Sequence, residues 1–281
     1  MELLGYYNGE YGPLEKMTVP MNDRVCYFGD GVYDATYSRN YKIFTLDEHT
    51  DRFYNSAGLL GIKLAQSKEA LKGILNEMLR KMDGGENFVY WQATRGTGIR
   101  NHVFPEDDVR PNLWIVIRPM QVQPLKKKVK LITLEDTRFL HCNIKTLNLL
   151  PSVMASEKAK QAGADETIFH RGGRVTECAH SNCHIIKDGV FITAPADHYI
   201  LPGIARAHLI KACKAQGIPV DETAYTLEDV FSADEVLISS AGSFGLAAQS
   251  VDGKPVGGKA PELLAKLHKY LWDEFLEETD L

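Results

Sequence analysis

Cysteine is scarce, and its spacing forms no framework. The 281 residues hold 5 cysteines, at positions 26, 142, 178, 183 and 213. An odd number without a Cys-x-x-Cys pair argues against disulfides and for reduced thiols in a cytoplasmic protein. Long apolar runs are also missing, so no membrane-spanning helix is expected. The start, MELLGYYNGEYG, has no basic segment followed by an apolar core, so no signal peptide is expected. Positive charge is not in excess: 32 Lys and Arg face 37 Asp and Glu, a net charge of −5. That balance points away from nucleic acid, and the one basic run, KKKVK at 126–130, reads as the solvated start of a strand. No internal repeat or low-complexity segment is present.

What is there is ordinary globular material, 44% hydrophobic and 25% charged. NGEYG suggests an early hairpin. VCYFGDGVYDATYSRNYKIFTLDEH is predicted as two strands around a Gly-Asp-Gly turn, followed by a helix from about Asp47. Ser67 is a candidate N-cap, and Leu71, Ile74, Leu75, Met78 and Met82 then recur on one helical face. NFVYWQAT and LWIVIRP are strand-like in their aromatic and β-branched content. RPMQVQP, with two prolines, marks a linker at 119–124 between a smaller domain at 1–118 and a larger one at 125–281. In the second part VKLITLED, ETIFH, RVTE, CHIIKDG, VFITA and DEVLISS read as strands. Helices are predicted near 151–162, 203–217 and 261–276. Strands outnumber helices and short connections outnumber crossovers, which implies two α/β or α+β domains with largely antiparallel sheets and flanking helices.

Several short stretches carry chemistry. RGTGIRNH, residues 95–102, sets two arginines and a histidine around two glycines just after a strand, an arrangement suited to an anion. Lys145 lies in NIKTLNLLPS among Ile144, Leu147, Leu149 and Leu150, where desolvation would lower its pKa and free its amine. A lysine that merely extends past a buried turn is the alternative. In LPGIARAHLI a glycine leads into a helix whose first N–H groups can bind an anion, and SSAGS at 239–243 offers a second small-residue turn. His49 and Arg52 share a helical face, where Arg52 can hold a phosphate or pair locally with Glu48. Cys178, His180, Cys183 and His184 are zinc-type side chains near Glu177. Adjacent Cys183 and His184 would point to opposite faces of a strand, so no metal site is expected.

Taken in order, FGDGVYD, LDEHTDRFYNSA, NIKTLNLL, VTE followed by SN, LPGIARAHLI and SSAGS resemble the fold-type IV, pyridoxal-phosphate-dependent class IV aminotransferases over nearly the whole chain. The loop TRGTGIRNHVFP is most similar to the D-amino-acid aminotransferase branch, which carries Arg-x-His there. The resemblance implies that Lys145, in the C-terminal domain, is the Schiff-base lysine and proton-transfer base. It implies that Glu177 faces the pyridine nitrogen and that Leu201 packs on the ring. The phosphate falls to Arg52, Ile204, Ala205, Ser240 and Ala241, and the substrate carboxylate to Tyr33, Arg100 and His102. It further implies a homodimer in which the Arg-x-His loop reaches the partner's site.

The implied reaction is transamination between a D-amino acid such as D-alanine and a 2-oxo acid such as 2-oxoglutarate. A branched-chain L-aminotransferase and an aminodeoxychorismate lyase are the alternatives within the fold. Three departures bear on substrate range and cofactor affinity. CAHSN, with His180, replaces a Gly-Ser-rich run; Asp34 stands where glutamate is usual; Ala205 and Ala241 stand where threonine is common.

Overall fold

The computed structural model describes residues 3–106 and 108–280. Cα packing divides the chain into two compact units. The first begins with a hairpin, β1 (Leu4–Tyr7) and β2 (Glu10–Pro13). Its turn residues Asn8 and Gly9 have φ of 48° and 106°, the left-handed backbone that a two-residue hairpin demands. The stretch expected to be a strand before the Gly-Asp-Gly turn is instead a short helix, α1 (Arg24–Phe28). The Asp23 carboxylate accepts the Val25 N–H at its start, and Gly29, with φ of 62°, ends it. Two end caps outweigh the strand preference of the residues between them.

Strands β3 (Gly31–Arg39) and β4 (Lys42–Ile43) follow, then helices α2 (Leu46–Leu59) and α3 (Lys68–Leu79), then β5 (Asn87–Thr94) and β6 (Asn112–Pro119). The Ser67 hydroxyl caps α3 through the Ala70 N–H. The antiparallel sheet runs β2-β1-β6-β5-β3-β4. Alternate residues Val32, Val89, Trp91, Ala93, Leu113, Ile115 and Ile117 form a core with Phe53 of α2 and Leu71, Leu75, Met78 and Leu79 of α3. Met82 is buried in the same core beyond the helix end.

The second unit contains β7 (Val129–Glu135), α4 (Leu150–Gln161), β8 (Glu166–Arg171), β9 (Arg174–Cys178), β10 (Asn182–Lys187) and β11 (Val190–Thr193). It continues with α5 (Ile204–Ala215), β12 (Val220–Asp221), α6 (Leu227–Ser232), β13 (Glu235–Ser239), β14 (Leu246–Val251), β15 (Lys254–Pro255) and most of α7 (Pro261–Thr279). The sheet order is β12-β11-β10-β13-β14-β7-β8-β9, with β15 beside β14. Its pairs are antiparallel except β14 with β7, β7 with β8, and β11 with β12. Helix α6 has a full capping box between Thr226 and Asp229.

The chain leaves the first unit at Val122. The segment Ile144–Asn148, which carries Lys145, belongs to this first unit and not to the C-terminal domain where it was expected. Backbone pairing is the reason. The Tyr33 N–H donates to the Lys145 carbonyl at 3.0 Å, and the Leu147 N–H donates to the Gly31 carbonyl at 3.1 Å. Thr146 bridges Val32, and Ile144 joins the first core. Residues 276–280 also group with this unit.

Gly31 permits that pairing. A Cβ there would lie 2.5 Å from the Ala93 carbonyl oxygen and 2.6 Å from Leu147 Cδ1. Gly31→Ala is expected to cost about 1–3 kcal/mol of stability through overpacking. A urea unfolding midpoint and slope equal to wild type would contradict this.

Candidate active site

In the first unit the half-buried Lys145 sits beside β3. Its backbone N–H donates to Ser56 Oγ at 3.2 Å, and its Nζ lies 4.2 Å from the centroid of the Tyr33 ring. Among the described residues no carboxylate forms an ion pair with Lys145. The expected apolar wall is only partly present, because Leu149 is 37% and Leu150 69% exposed. The ring of Tyr33 provides the apolar face instead. That ring stacks on Tyr90 at 5.5 Å and 25°, and the Tyr90 hydroxyl donates to Gln92 Oε1 at 2.7 Å. Tyr90 escaped the sequence reading. The period-2 alternation of NFVYWQAT, which sets Tyr90 and Gln92 on one face, was its only signal.

Asp34, also on β3, is fully buried. Arg52 Nε donates to its Oδ2 at 2.9 Å and Arg52 Nη2 to its Oδ1 at 2.7 Å. His49 Nδ1 lies 2.7 Å from Oδ1. Burial alone would raise the Asp34 pKa, but Arg52 and His49 outweigh it and hold the carboxyl well below its usual range. Burial pushes the His49 pKa down despite the carboxylate, so the neutral ring donates Nδ1–H to Asp34. One edge of the Arg52 guanidinium is thereby fixed in direction.

The two arginines of the glycine loop part company. Arg95 is buried; its Nε meets both Asp30 oxygens at 3.0 and 2.9 Å, and its Nη2 donates to the Leu60 carbonyl at 2.9 Å. Arg24 grips the same Asp30 at 2.8 Å and donates to the Asn101 carbonyl at 2.7 Å. Arg95 therefore shapes the loop. Arg100 and His102 are exposed and gather on Phe28, each 5.2 Å from its ring centre. The structure thus gathers Tyr33 with Lys145, and Arg100 with His102, as separate groups.

In the second unit Glu177, the penultimate residue of β9, has both oxygens engaged. Oε2 accepts the Asn182 Nδ2–H at 3.0 Å and the Leu201 N–H at 3.0 Å. Oε1 accepts from Arg138 Nη1. Arg138 in turn donates to Asp136 through Nε at 3.0 Å and Nη2 at 2.9 Å. Burial works against the Asp136 carboxylate, yet Arg138 lowers its pKa on balance. Sequence reasoning missed Arg138; an Asp-x-Arg just after a strand was the available trace.

Asn182 is the second hub. Its Nδ2 also donates to the Leu201 carbonyl at 3.0 Å, and a Cβ on Gly203 would fall 2.0 Å from its Oδ1. Only glycine fits there. In the sheet Asn182 pairs with Ser239. The residues leading into α5, Leu201 and Gly203, and Ser239, which leads into the Ser240–Ala241 turn, therefore meet at one residue. No side chain caps α5, so its first N–H groups are available as donors.

Of the remaining zinc-type side chains, Cys178 and Cys183 hydrogen-bond to each other and the two histidines have other partners. Cys178 and Cys183 are buried, while His184 lies between Thr193 and Ser239. His180, 63% exposed, pairs with Glu166 at 2.6 Å. Among the described residues no three His, Cys, Asp or Glu side chains form a metal-holding group.

The Asp34 cluster makes a pH-dependent prediction. The unfolded chain protonates Asp34 at about pH 3.9 and the folded chain only below that, so the stability it contributes is lost as pH falls through this window. Asp34→Asn should cost about 3–5 kcal/mol at neutral pH by leaving Arg52 without its buried partner. Stability of the variant should also decline less than wild type between about pH 5 and pH 3. Parallel pH profiles by denaturant titration would contradict the assignment.

Comparison with known proteins supplies the family. The model of amino-transferase class IV matches residues 31–251. D-alanine aminotransferase from Listeria monocytogenes serotype 4b (strain F2365) is 42% identical over 268 residues, 94% of this chain and 93% of that protein. D-alanine aminotransferase from Staphylococcus aureus (strain MSSA476) is 38% identical, over 94% of this chain and 95% of its own. Among solved structures, the branched-chain amino acid aminotransferase from Escherichia coli superposes with a TM-score of 0.89 at 24% identity, covering 100% of this chain and 96% of that one. With that fold, that family match and those relatives, the chain belongs to the class IV, fold-type IV aminotransferases.

Proposed function

We propose that this chain exchanges an amino group between a D-amino acid such as D-alanine and a 2-oxo acid such as 2-oxoglutarate, with pyridoxal 5'-phosphate as cofactor. The observation that carries the reading is the 42% identity, over 94% of the chain, to a protein named D-alanine aminotransferase. The exposed Arg100 and His102 support it, because they are the pair that distinguishes the D-amino-acid branch.

The donor set suits the cofactor. Lys145 presents an amine held by no carboxylate among the described residues. Glu177 is a carboxylate fixed by three donors, and α5 opens with uncapped N–H groups. These match an aldehyde, a ring nitrogen and a phosphate respectively. When bound, the cofactor supplies an aldehyde that condenses with amines and a ring that delocalises the charge left by a departing Cα proton.

Each residue then has a task. Lys145 Nζ anchors the cofactor, gives way to the substrate amine, and as the free amine moves the Cα proton. Glu177, ion-paired with Arg138, holds a proton on the ring nitrogen, and Leu201 packs on the ring. Arg52, aimed by Asp34, holds the phosphate with the N–H groups of Ile204 and Ala205 and the Ser240–Ala241 turn. Tyr33, Arg100 and His102 hold the substrate carboxylate on one side. That choice of side presents the Cα–H of one enantiomer to the base.

A homodimer and a cytoplasmic setting are part of the same reading. Ile99, Val103 and Phe104 around the Arg-x-His pair are 92%, 70% and 61% exposed, which favours their burial against a partner. On α4, Leu150, Val153 and Met154 expose a second apolar face. All five cysteines are free, and no helix among the described residues is long and apolar enough to cross a membrane.

With 2-oxoglutarate as acceptor, D-alanine should be turned over and L-leucine should not, and aminodeoxychorismate should yield no elimination product. Faster turnover of L-leucine would replace the proposal with the branched-chain reading.

Arg100→Leu is expected to lower kcat/KM for D-alanine by roughly 1.5–3.5 decades, since a desolvated charge pair is worth roughly 2–5 kcal/mol. Mixed dimers of Arg100→Leu and Lys145→Ala subunits should regain activity, because one site in each is intact. Verified heterodimers without activity would count against the shared site.

A further inference from the structure

His184 is fully buried in β10, and its hydrogen-bonding and stacking partners include no residue assigned to substrate or cofactor. Both ring nitrogens are nonetheless engaged. Nδ1 lies 2.8 Å from Thr193 Oγ1 and Nε2 lies 2.8 Å from Ser239 Oγ. The ring stacks on Phe191 at 5.2 Å and 29°. Thr193 Oγ1 also meets Arg206 Nε at 3.2 Å. Arg206 continues to the Ala194 carbonyl at 2.9 Å and to Glu222 Oε2 at 2.8 Å.

The ends of this chain of contacts matter. Arg206 is the third residue of α5, directly after Ile204 and Ala205. Ser239 directly precedes Ser240 and Ala241. We infer that His184 is a positioning residue: through Arg206–Thr193–His184–Ser239 it fixes the spacing of the two turns that bind the cofactor phosphate. The inference rests on the proposed assignment of those turns to phosphate.

The order of donors supports a rigid link. Arginine only donates, so Thr193 Oγ1 accepts from Arg206 and its own hydroxyl proton is directed to His184 Nδ1. The neutral imidazole then donates Nε2–H to Ser239. Burial, then the Arg206 charge, push the His184 pKa down to about 3, so this single arrangement persists across the neutral range. Asn182, two residues earlier on the same strand face, is a second tether between the two segments. Rigidity matters more here than in a site with threonines. At Ala205 and Ala241 no hydroxyl can rotate to follow a displaced phosphate, so the donors are backbone N–H groups held where the turns hold them.

The test compares two ligands on the full chain freed of cofactor: pyridoxal 5'-phosphate, and pyridoxal, which lacks only the phosphate. Inorganic phosphate serves as competitor. His184→Phe keeps the stack on Phe191 and removes both hydrogen bonds. It should weaken pyridoxal 5'-phosphate binding about tenfold while pyridoxal binding stays within about twofold, as expected for a lost bond to an anion-holding turn. Ser239→Ala should act alike, and the double variant should be no worse than His184→Phe alone. His184→Gln, which retains a donor and an acceptor, should recover part of the loss. Should His184→Phe fail to fold, Ser239→Ala and Thr193→Val carry the same comparison. Equal loss for both ligands, or for neither, would overturn the positioning role. A wild-type protein that binds both ligands equally and is indifferent to inorganic phosphate would overturn the phosphate assignment itself, and the inference with it.

Discussion

The proposed nucleophile is held by main chain before any side chain contributes. Residues 144–148 lie along β3, and the Lys145 carbonyl accepts the Tyr33 N–H. One hydrogen bond thus joins the base to a residue proposed for the substrate carboxylate. Much follows from it. Gly31 must lack a side chain to let Leu147 approach. Tyr33 turns its ring toward Lys145 Nζ and is itself braced by Tyr90. Asp34, next on the strand, points to the opposite face and fixes Arg52 and His49 there. A single strand therefore carries the contacts that position amine, aromatic wall and guanidinium.

Charge is organised in the same economical way in each unit. Asp30, Asp34 and Glu177 are carboxylates held by arginine, and each sits where the chain must keep a sharp geometry. Burying such charges costs desolvation that the pairing offsets only when the hydrogen bonds are complete. Completeness is what the structure shows: Asp34 accepts from Arg52, His49 and the Ala35 N–H, and Glu177 accepts from Arg138, Asn182 and Leu201. These pairs specify orientation more than they add stability. In the glycine loop that specification separates one arginine that shapes the turn from another left exposed.

Much of this was legible in the order of short motifs. FGDGVYD, NIKTLNLL and LPGIARAHLI each combine a chemical residue with the glycine or apolar neighbours that position it, and such local pairings survive in a linear reading. The capped helix at Ser67 was readable for the same reason. The misreadings have two causes: caps at the ends of a short segment, and partners far along the chain that decide the outcome. Arg24–Phe28 looks like strand material until Asp23 and Gly29 are seen as caps. Lys145 lies among residues of the second unit in sequence, and only the pairing with β3 reveals its place. Arg138 sits in an ordinary loop, and its importance depends on Glu177 folding back to meet it. His184 read as a discarded metal ligand, and only the strand register brings Ser239 and Thr193 to its two nitrogens.

The central claim is that Lys145 is the residue that bonds the cofactor. The holoprotein reduced with borohydride, digested and mapped by mass spectrometry tests it directly. The pyridoxyl group is predicted on the peptide containing Lys145, in full occupancy and nowhere else. A modification found instead on Lys158 or Lys160, at the end of α4, would contradict the account.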